Sequence, residues 1–414
     1  MQKLNIAILS YRSAPFGGGQ GIYIHDISKA LSLTGHQVDV ISGPPYPNLY
    51  EKVNLIKLPG LDLFQTFSFK DRLKIFIKKK NKRAIDLYEF ISTFFGGFPE
   101  MRTFGERAKE FLDNSNYDIV IDNQSISYGL LKIQKKFPLL EIIHHPITKD
   151  YKFELQSNSS FMYRLSRHRW YSFLKMQKKV APQLKKIVTP SFNSLKDIAS
   201  DFNVKKENIN VINNGLDIDI FIPHKEIKRN PTKLITTASA DVAIKGLDFS
   251  LKSLASLIDD FPEISLMVIG KIKKDGHTSR LIDELGIKDK VFFKTNLTKE
   301  EIAKEYASSS IAIVSSLYEG FGYPVIEAMS CEIPLIASNV SSIPELVGDY
   351  AKLIPPKNIT ELSNSIRSIL NNYSYYKNIA VRGRQHIVDN FNWLKITEEY
   401  ENIISKTIND FHKC

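Results

Sequence analysis

The segment SSLYEGFGYPVIEAM carries the residues whose types and spacing best suit an active site. Glu319 follows a buried apolar run, and open α/β sheets bind ligands at the carboxyl ends of their strands. Gly320 and Gly322 allow backbone amides to approach a ligand closely. Pro324 suits the first turn of a helix, and the amino end of a helix attracts anions. The segment therefore predicts a seat for a diphosphate beside a carboxylate.

The helix expected after this seat adds amides and a second carboxylate. Val325 and Ile326 are expected to present free amides in the first helical turn. Glu327 lies early in the helix, where it can accept hydrogen bonds from two adjacent hydroxyls of a ribose. Two glutamates at this spacing are common by chance, so the spacing alone favours an unrelated surface pair. The surrounding strand, glycines and proline favour a binding site instead.

A pair of histidines is one group that invites a metal. His144 and His145 are adjacent on an expected strand, so their side chains point to opposite faces and cannot readily share an ion. Only Asp150 lies near them in sequence, and the chain has just two cysteines. We therefore expect no metal site.

Strand and helix patterns alternate along the whole chain, which is typical of parallel sheets. A glycine-rich loop, GGGQG, separates the first expected strand from the first helix. The apolar runs predict strands at 4–9, 36–41, 118–121, 141–144, 186–189, 234–238, 264–269, 291–293, 311–314 and 334–337. Thr298, with Glu301 three residues later, predicts a capping box at a helix start. Two doubly wound α/β domains are the most economical architecture.

The turn-rich segment INNGLDIDIFIP marks the expected domain boundary. We assign residues 1–215 to an amino-terminal domain and 216–390 to a carboxy-terminal domain. Residues 391–414 have apolar side chains at helical spacing, so we expect an amphipathic helix that packs back on the amino-terminal domain.

Composition excludes several classes of protein. The 414 residues are 43% hydrophobic and 24% charged, which is ordinary for a globular chain and excludes a disordered or fibrous one. Two cysteines exclude a disulfide scaffold. Neither a signal peptide nor an apolar run of about 18 residues is present, so we expect a cytoplasmic protein.

The net charge is 56 − 45 = +11, and its densest part is Lys70 to Arg83. Here Phe69, Leu73 and Phe76 share one helical face with lysines around them, as in helices that lie on anionic membranes. A solvated face over the core explains the charge pattern equally well. We expect no nucleic-acid partner.

The order of these motifs resembles family 4 of the retaining glycosyltransferases, whose GT-B fold has two facing Rossmann-like domains with a cleft between them. Glu319 to Glu327 is similar to the family's Glu-x7-Glu motif. The family's first βαβ unit, its inter-domain segment, its Lys-Gly pair and its closing segment have counterparts in GGGQGIYIHDISKALSLTGHQVDVIS, VINNGLDIDIF, AIKGLDF and NFNWLKI. The resemblance covers most of the chain.

The resemblance implies a role for each matching residue. Glu319 holds hydroxyls of the donor sugar, and Glu327 holds the ribose of its nucleotide. Lys245 neutralises the diphosphate, and His144 lies near the transferred sugar as the active-site histidine. The remaining donor-binding residues are Gly18 and Gly19 in the amino-terminal loop, and Gly320, Phe321, Gly322, Val325 and Ile326 around the motif.

The activity implied is transfer of a sugar, with retention, from a nucleoside diphosphate sugar to a glycan or lipid-linked acceptor, as in synthesis of cell-envelope polysaccharide or glycolipid. No metal or other cofactor is expected, because Lys245 and the helix end supply the positive charge. Many relatives use lipid-linked acceptors, which favours peripheral docking of residues 70–83 on the inner face of a membrane. One position departs from the family, since Ser239 stands where an arginine is usual. Either Lys245 carries more of the load, or Arg12 or Lys271 replaces that cation.

Two other classes fit the same features. A nucleotide-sugar epimerase can share this fold and would need no acceptor. A non-enzymatic basic protein that binds membrane or nucleic acid would show no turnover and no need for Glu319. Labelled nucleotide sugars, with and without lipid extract, separate the three classes.

Overall fold

The computed structural model describes residues 3–14, 19–63, 66, 68–157 and 159–413. The chain divides into two compact units. The first unit comprises Met1–Pro190, Ser194–Ile212 and Ile396–Cys414, and the second comprises Ser191–Asn193 and Asn213–Lys395. The carboxy-terminal residues from Ile396 thus belong to the same unit as the amino terminus.

The described part of the first unit contains one sheet of parallel strands in the order β3-β2-β1-β4-β5-β6-β7. The strands are β1 (Asn5–Ser10), β2 (Gln37–Ser42), β3 (Asn54–Lys57), β4 (Ile119–Asn123), β5 (Leu139–Ile142), β6 (Ile187–Thr189) and β7 (Ile209–Val211). The helices along this part of the chain are α1 (Gly19–Leu33), α2 (Phe69–Lys78), α3 (Ala84–Phe94), α4 (Glu100–Leu112), α5 (Tyr128–Ile133), α6 (Thr148–Ser157), α7 (Phe161–Trp170), α8 (Leu174–Val180) and α9 (Phe192–Phe202).

The described part of the second unit has a parallel sheet in the order β10-β9-β8-β11-β12-β13. Its strands are β8 (Lys233–Thr237), β9 (Ser265–Ile269), β10 (Val291–Lys294), β11 (Ile311–Val314), β12 (Leu335–Ser338) and β13 (Lys352–Ile354). The remaining helices of the chain are α10 (Leu247–Ala255), α11 (His277–Glu284), α12 (Lys299–Ser308), α13 (Tyr323–Ser330), α14 (Ile343–Val347), α15 (Ile359–Asn371), α16 (Tyr373–Asn390) and α17 (Trp393–His412).

Both sheets are covered by helices on their two faces, which explains the continuous apolar runs of their strands. In the second unit, Ile235 and Val314 belong to one buried cluster, whereas Leu234 and Ile313 belong to another. Neighbouring strand residues point to opposite faces, so the two central strands β8 and β11 contribute to both clusters. The prediction of doubly wound parallel sheets is confirmed.

The carboxy-terminal helix α17 packs on the first unit through buried polar contacts. The hydroxyls of Tyr23 and Tyr400 lie 2.6 Å apart, and both side chains are buried. His36 Nε2 lies 3.2 Å from Glu401 Oε1. Tyr23 is on α1 and His36 directly precedes β2, so these contacts join α17 to α1 and to the start of β2.

The order of strands reverses at one place in each sheet, between β1 and β4 in the first unit and between β8 and β11 in the second. The loops that leave neighbouring strands at such a point diverge and leave a crevice at the carboxyl end of the sheet. This topology brings the loops after β8 and β11 to the same crevice, although they are far apart in sequence.

The predicted capping box is confirmed, because Glu301 N donates to Thr298 Oγ1 and Thr298 N donates to Glu301 Oε2. The strand predicted at 141–144 is wrong at its end, since β5 stops at Ile142. His144 and His145 therefore follow the strand and lie in the loop at its carboxyl end. The sequence reading also missed β3, β7 and β13.

Candidate functional site

Lys245 and Glu319 meet at the crevice of the second unit. Lys245 follows β8 and Glu319 follows β11, and Lys245 Nζ lies 2.7 Å from Glu319 Oε1. Gly246 makes this approach feasible: its φ is +65°, and a Cβ there would lie 2.0 Å from the Ser315 carbonyl oxygen. The glycine after the lysine thus holds the lysine loop against the end of β11.

Hydrogen bonds within the protein hold one of the two carboxylate oxygens of Glu319. Ser316 Oγ donates to the same Oε1 atom at 2.7 Å, and the side chain is 10% exposed. No described residue hydrogen-bonds to Oε2 of Glu319. One oxygen is therefore fixed by the protein, and the other remains to accept a hydrogen bond from a ligand hydroxyl.

Two further serines hold the backbone of this loop. Glu319 N donates to Ser341 Oγ at 2.8 Å, and Ser342 Oγ donates to Glu319 O at 2.9 Å. The sequence reading missed these serines, because they follow a different strand, β12. It also missed Ser316, although a polar residue directly after a buried strand is the kind of signal that marks a crevice.

The start of α13 differs in part from the prediction. The helix begins at Tyr323 after Gly322, whose φ of +117° is in the left-handed region that favours glycine. The Val325 amide is not free, because it donates to the Gly322 carbonyl at 3.0 Å. Instead, the amides of Phe321 and Gly322 have no partner among the described residues. The unpartnered amides therefore precede the helix, and the side chains of Phe321, Val325 and Ile326 are buried in the core.

Glu327 is half-buried, whereas an unrelated surface glutamate would be exposed. Tyr306 is buried on α12, and its hydroxyl donates to Glu327 Oε2 at 3.3 Å. The same hydroxyl lies 3.0 Å from Thr237 Oγ1, at the end of β8. Glu327 is thus tied to the central strand of the sheet, beside the loop that carries Lys245.

The position of the missing arginine has a cationic neighbour. Ser239 is exposed two residues after β8, whose last residue Thr237 pairs in register with Ile269. Lys271 follows Ile269 by two residues, so it occupies the matching position on the adjacent strand. The exposed Lys271 side chain has no hydrogen bond or ion pair with any described residue. Arg12, the other cation considered, lies in the first unit, where its Nε is 3.8 Å from Glu100 Oε2.

His144 lies at the carboxyl end of the first unit's sheet. Its Nε2 is 2.8 Å from Asn123 Oδ1, and its ring meets Tyr23 edge-on at 4.6 Å between centroids. Gln124 Oε1 accepts from the His144 amide at 2.8 Å. Burial, and then the charge of His145, lowers the pKa of His144 to about 3. The imidazole is therefore neutral, and the Asn123 carbonyl places its proton on Nε2.

His145 takes a separate partner, since its Nε2 lies 2.8 Å from Asp150 Oδ2. The two histidine rings thus hydrogen-bond to different side chains. Within the described part of the chain, no group of three or more His, Cys, Asp or Glu side chains is placed to hold a metal ion. Gly18 lies outside the described residues, and Gly19 is the first residue of α1.

A single hydroxyl offers a test of how the Glu319 carboxylate is held. We expect Ser316→Ala to lower kcat about tenfold with little change in the folded state, because one hydrogen bond to a charged group contributes about 1.5–3 kcal/mol. Ser310→Ala is the matched control, since Ser310 Oγ donates to the Lys233 carbonyl at the opposite end of β11. Equal kcat values for the two variants would mean that Ser316 does not position Glu319.

Two family comparisons match successive parts of the chain. Residues 17–220 match Glycosyltransferase Family 4, and residues 219–386 match Glycosyl transferases group 1. The MMP alpha-(1->4)-mannosyltransferase of Mycolicibacterium hassiacum is 38% identical over 418 residues, which cover 99% of this chain and 100% of that protein.

Solved structures show the same fold at lower identity. The sucrose-phosphate synthase of Thermosynechococcus elongatus matches with a TM-score of 0.74 and 20% identity over 99% of this chain and 100% of that one. HepE of Anabaena, in complex with UDP-glucose, matches with a TM-score of 0.71 and 15% identity over 97% of this chain and 100% of that one. These likenesses support the GT-B fold for this chain.

Proposed function

Because the chain belongs to glycosyltransferase family 4, we propose that it transfers a mannosyl residue from a nucleoside diphosphate mannose to a hydroxyl of a glycan or lipid-linked acceptor. The mannosyl group is proposed from the whole-length relative, which is named a mannosyltransferase. That name also favours transfer over epimerisation. The observation that carries the proposal is the Lys245–Glu319 pair at the crevice of the second sheet, with a carboxylate oxygen and two amides left for a ligand.

Each group at the crevice has a part in holding the donor. Glu319 Oε2 accepts from a hydroxyl of the sugar, and Lys245 uses one ammonium proton on Glu319 and the others on the diphosphate. The amides of Phe321 and Gly322 supply further donors to the phosphate. Glu327 accepts from the ribose hydroxyls. Lys271, which follows the neighbouring strand, supplies the positive charge that an arginine usually provides in this family.

The proposed reaction needs no protein nucleophile. The diphosphate leaves as the acceptor hydroxyl attacks the anomeric carbon from the same face, so the configuration is retained. Lys245 and the two amides stabilise the charge that grows on the leaving phosphate, which is catalysis by positioned electrostatics. We propose that this charge, rather than a metal ion, activates the leaving group. His144, as a neutral imidazole, contributes hydrogen bonds and no charge.

A panel of donors tests the function. Purified protein is incubated with GDP-mannose, UDP-glucose or UDP-N-acetylglucosamine, each with and without an α-mannoside and a membrane lipid extract, and released nucleotide is measured. We expect release from the mannose donor that depends on an acceptor. Release without acceptor, together with an isomerised sugar, would identify an epimerase, and no release from any donor would contradict a transferase.

We also propose that the protein docks on the cytoplasmic face of an anionic membrane through the α2–α3 hairpin. No helix in the described part of the chain is long and apolar enough to span a bilayer. In this hairpin, Phe76 stacks on Phe90 at 4.7 Å, so part of the apolar face of α2 packs on α3. The side chains that remain exposed are Phe69 at 49%, Ile77 at 62%, Phe94 at 54% and Phe95 at 63%. Exposed aromatic groups among lysines suit an anionic lipid surface.

Reversing three lysines of this hairpin tests the docking. We expect Lys70→Glu, Lys78→Glu and Lys80→Glu together to abolish sedimentation with anionic vesicles at low salt, because each lysine contributes about 1 kcal/mol near such a surface. Lys79 is left unchanged, because its Nζ lies 2.7 Å from the buried Asp86. The control reverses three exposed lysines elsewhere, Lys206, Lys252 and Lys288. Equal sedimentation of the two variants would mean that the lysines of the hairpin face solvent and do not bind the membrane.

A further inference from the structure

A second cavity lies at the amino end of the first unit's sheet. It has a volume of about 370 Å³ and lies between the start of β5, the start of β6 and the last turn of α17. Leu139, the first residue of β5, lines it, whereas His144 follows the other end of the same strand. Five residues of extended chain span about 16 Å, so a small ligand of this cavity cannot also touch His144.

The charges around this cavity do not balance. Among the described residues that line it, Lys185, Lys186 and Lys413 meet a single side-chain carboxylate, that of Asp410. Lys186 Nζ lies 3.0 Å from Asp410 Oδ2, which accounts for one lysine. The Lys185 side chain has no hydrogen bond or ion pair with any described residue. Two ammonium groups at the cavity are therefore left without a counter-charge among the described residues that line it.

The excess of positive charge at this cavity also affects the pKa of Asp410. The hydrogen bond from Lys186 lowers the pKa of Asp410, and the charges of Lys406 and Lys413 lower it further. Lysines that converge on one cavity repel each other, and an anion between them relieves that repulsion. Lysine is a common phosphate ligand, acting as a point charge. The charge pattern thus favours a dianion over a single carboxylate.

Apolar residues form much of the remaining wall, beside two uncharged polar side chains. Pro138, Leu139 and Phe411 line the cavity beside the lysines. Its volume falls within the range of small-molecule sites, in which apolar walls carry a few polar groups. We propose that this cavity binds a phosphate monoester of about the size of a sugar phosphate, with the phosphate on Lys185 and Lys413 and the carbon skeleton against Phe411.

Helix α17 connects this cavity to the first unit's catalytic end. Asp410 and Phe411 lie in its last turns, and Tyr400 lies ten residues earlier, about 15 Å along the helix. The Tyr400 hydroxyl meets that of Tyr23, whose ring contacts His144. A ligand that holds the end of α17 therefore acts on the helix whose Tyr400 contacts Tyr23, the residue that packs on His144, which suits an effector site.

Calorimetric titration of the full chain tests the proposal with mannose 6-phosphate, inorganic phosphate and mannose as probes. We expect mannose 6-phosphate to bind and mannose not to bind. Lys185→Gln with Lys413→Gln should weaken binding about tenfold or more, because two charge-assisted contacts are lost. Asp410→Asn should tighten it about threefold or more, because a carboxylate that competes for the lysines is removed.

Two controls separate this cavity from other anion sites. Lys252→Gln with Lys288→Gln removes the same charge from exposed positions of the second unit and should bind as wild type does. Lys245→Ala should also leave the binding unchanged, so that failure of the donor site and failure of this site are distinguishable. Absence of binding, equal binding by the Lys185/Lys413 variant, or capture of phosphatidic acid vesicles in place of mannose 6-phosphate would each overturn the proposal.

Discussion

Glu319→Gln is expected to reduce sugar transfer about a hundredfold or more while the protein remains folded. Glutamine keeps the size of the side chain but removes the negative charge of the carboxylate. Lys245 and Ser316 both donate hydrogen bonds to Oε1 of this carboxylate. A charge-assisted hydrogen bond contributes about 1.5–3 kcal/mol, and both the sugar contact and the alignment of Lys245 depend on this carboxylate. The measurement is kcat with the mannose donor, beside thermal unfolding of both proteins.

The matched control for this substitution is Glu332→Gln. Glu332 Oε2 lies 2.9 Å from Lys377 Nζ, so it also forms an ion pair in the second unit, but on other elements. We expect the control to keep wild-type turnover. If Glu319→Gln also turns over at the wild-type rate, Glu319 does not contact the reacting sugar.

Lys245→Ala is expected to have an effect of similar size through the leaving group. A partly buried helix terminus supplies at most about 2 kcal/mol to an anion, so the amides of Phe321 and Gly322 alone cannot replace the ammonium. Losing one preorganised donor costs about a hundredfold in kcat or more. Calorimetry with the nucleoside diphosphate should show weaker binding as well, because the contact that we propose for Lys245 would also form with the ground-state phosphate.

The neighbouring strand supplies the controls for Lys245. Lys271→Ala should reduce binding of the nucleoside diphosphate less than Lys245→Ala does, because Lys271 is exposed and no described residue fixes its position. Ser239→Arg should tighten the binding, since a guanidinium can grip a phosphate with two hydrogen bonds. Wild-type binding and turnover by Lys245→Ala would place the phosphate elsewhere.

The sequence predicted the strands and turns around this crevice well, because long apolar runs and glycines determine the local backbone conformation. β11 has the predicted bounds, and Gly322 has a left-handed conformation that favours glycine. The missed strands, β3, β7 and β13, lie at sheet edges and have three or four residues each. Such strands are partly exposed and too short to show a period, so no pattern distinguishes them from loop.

The contacts that tune the site could not be read from the sequence. Lys245 and Glu319 are 74 residues apart, and they pair only because Gly246 packs on the Ser315 carbonyl. General helix geometry predicted a free amide at Val325. In the structure, the tight turn at Gly322 provides a carbonyl that accepts a hydrogen bond from this amide. Tyr306 gave no signal, because an aromatic residue on a helix is normally part of the core, and here its hydroxyl is what reaches Glu327.

The central claim is tested most directly by following the anomeric carbon through the reaction by NMR. Nucleoside diphosphate α-mannose, labelled with ¹³C at the anomeric position, is mixed with the protein and a mannosyl acceptor, and the one-bond carbon–proton coupling of each new signal is recorded. We predict that the donor signal falls as an α-glycoside signal of the acceptor rises, and that both changes are about a hundredfold slower or more with Glu319→Gln. A β-glycoside, or a free isomerised sugar formed without acceptor, would contradict retaining transfer by this protein.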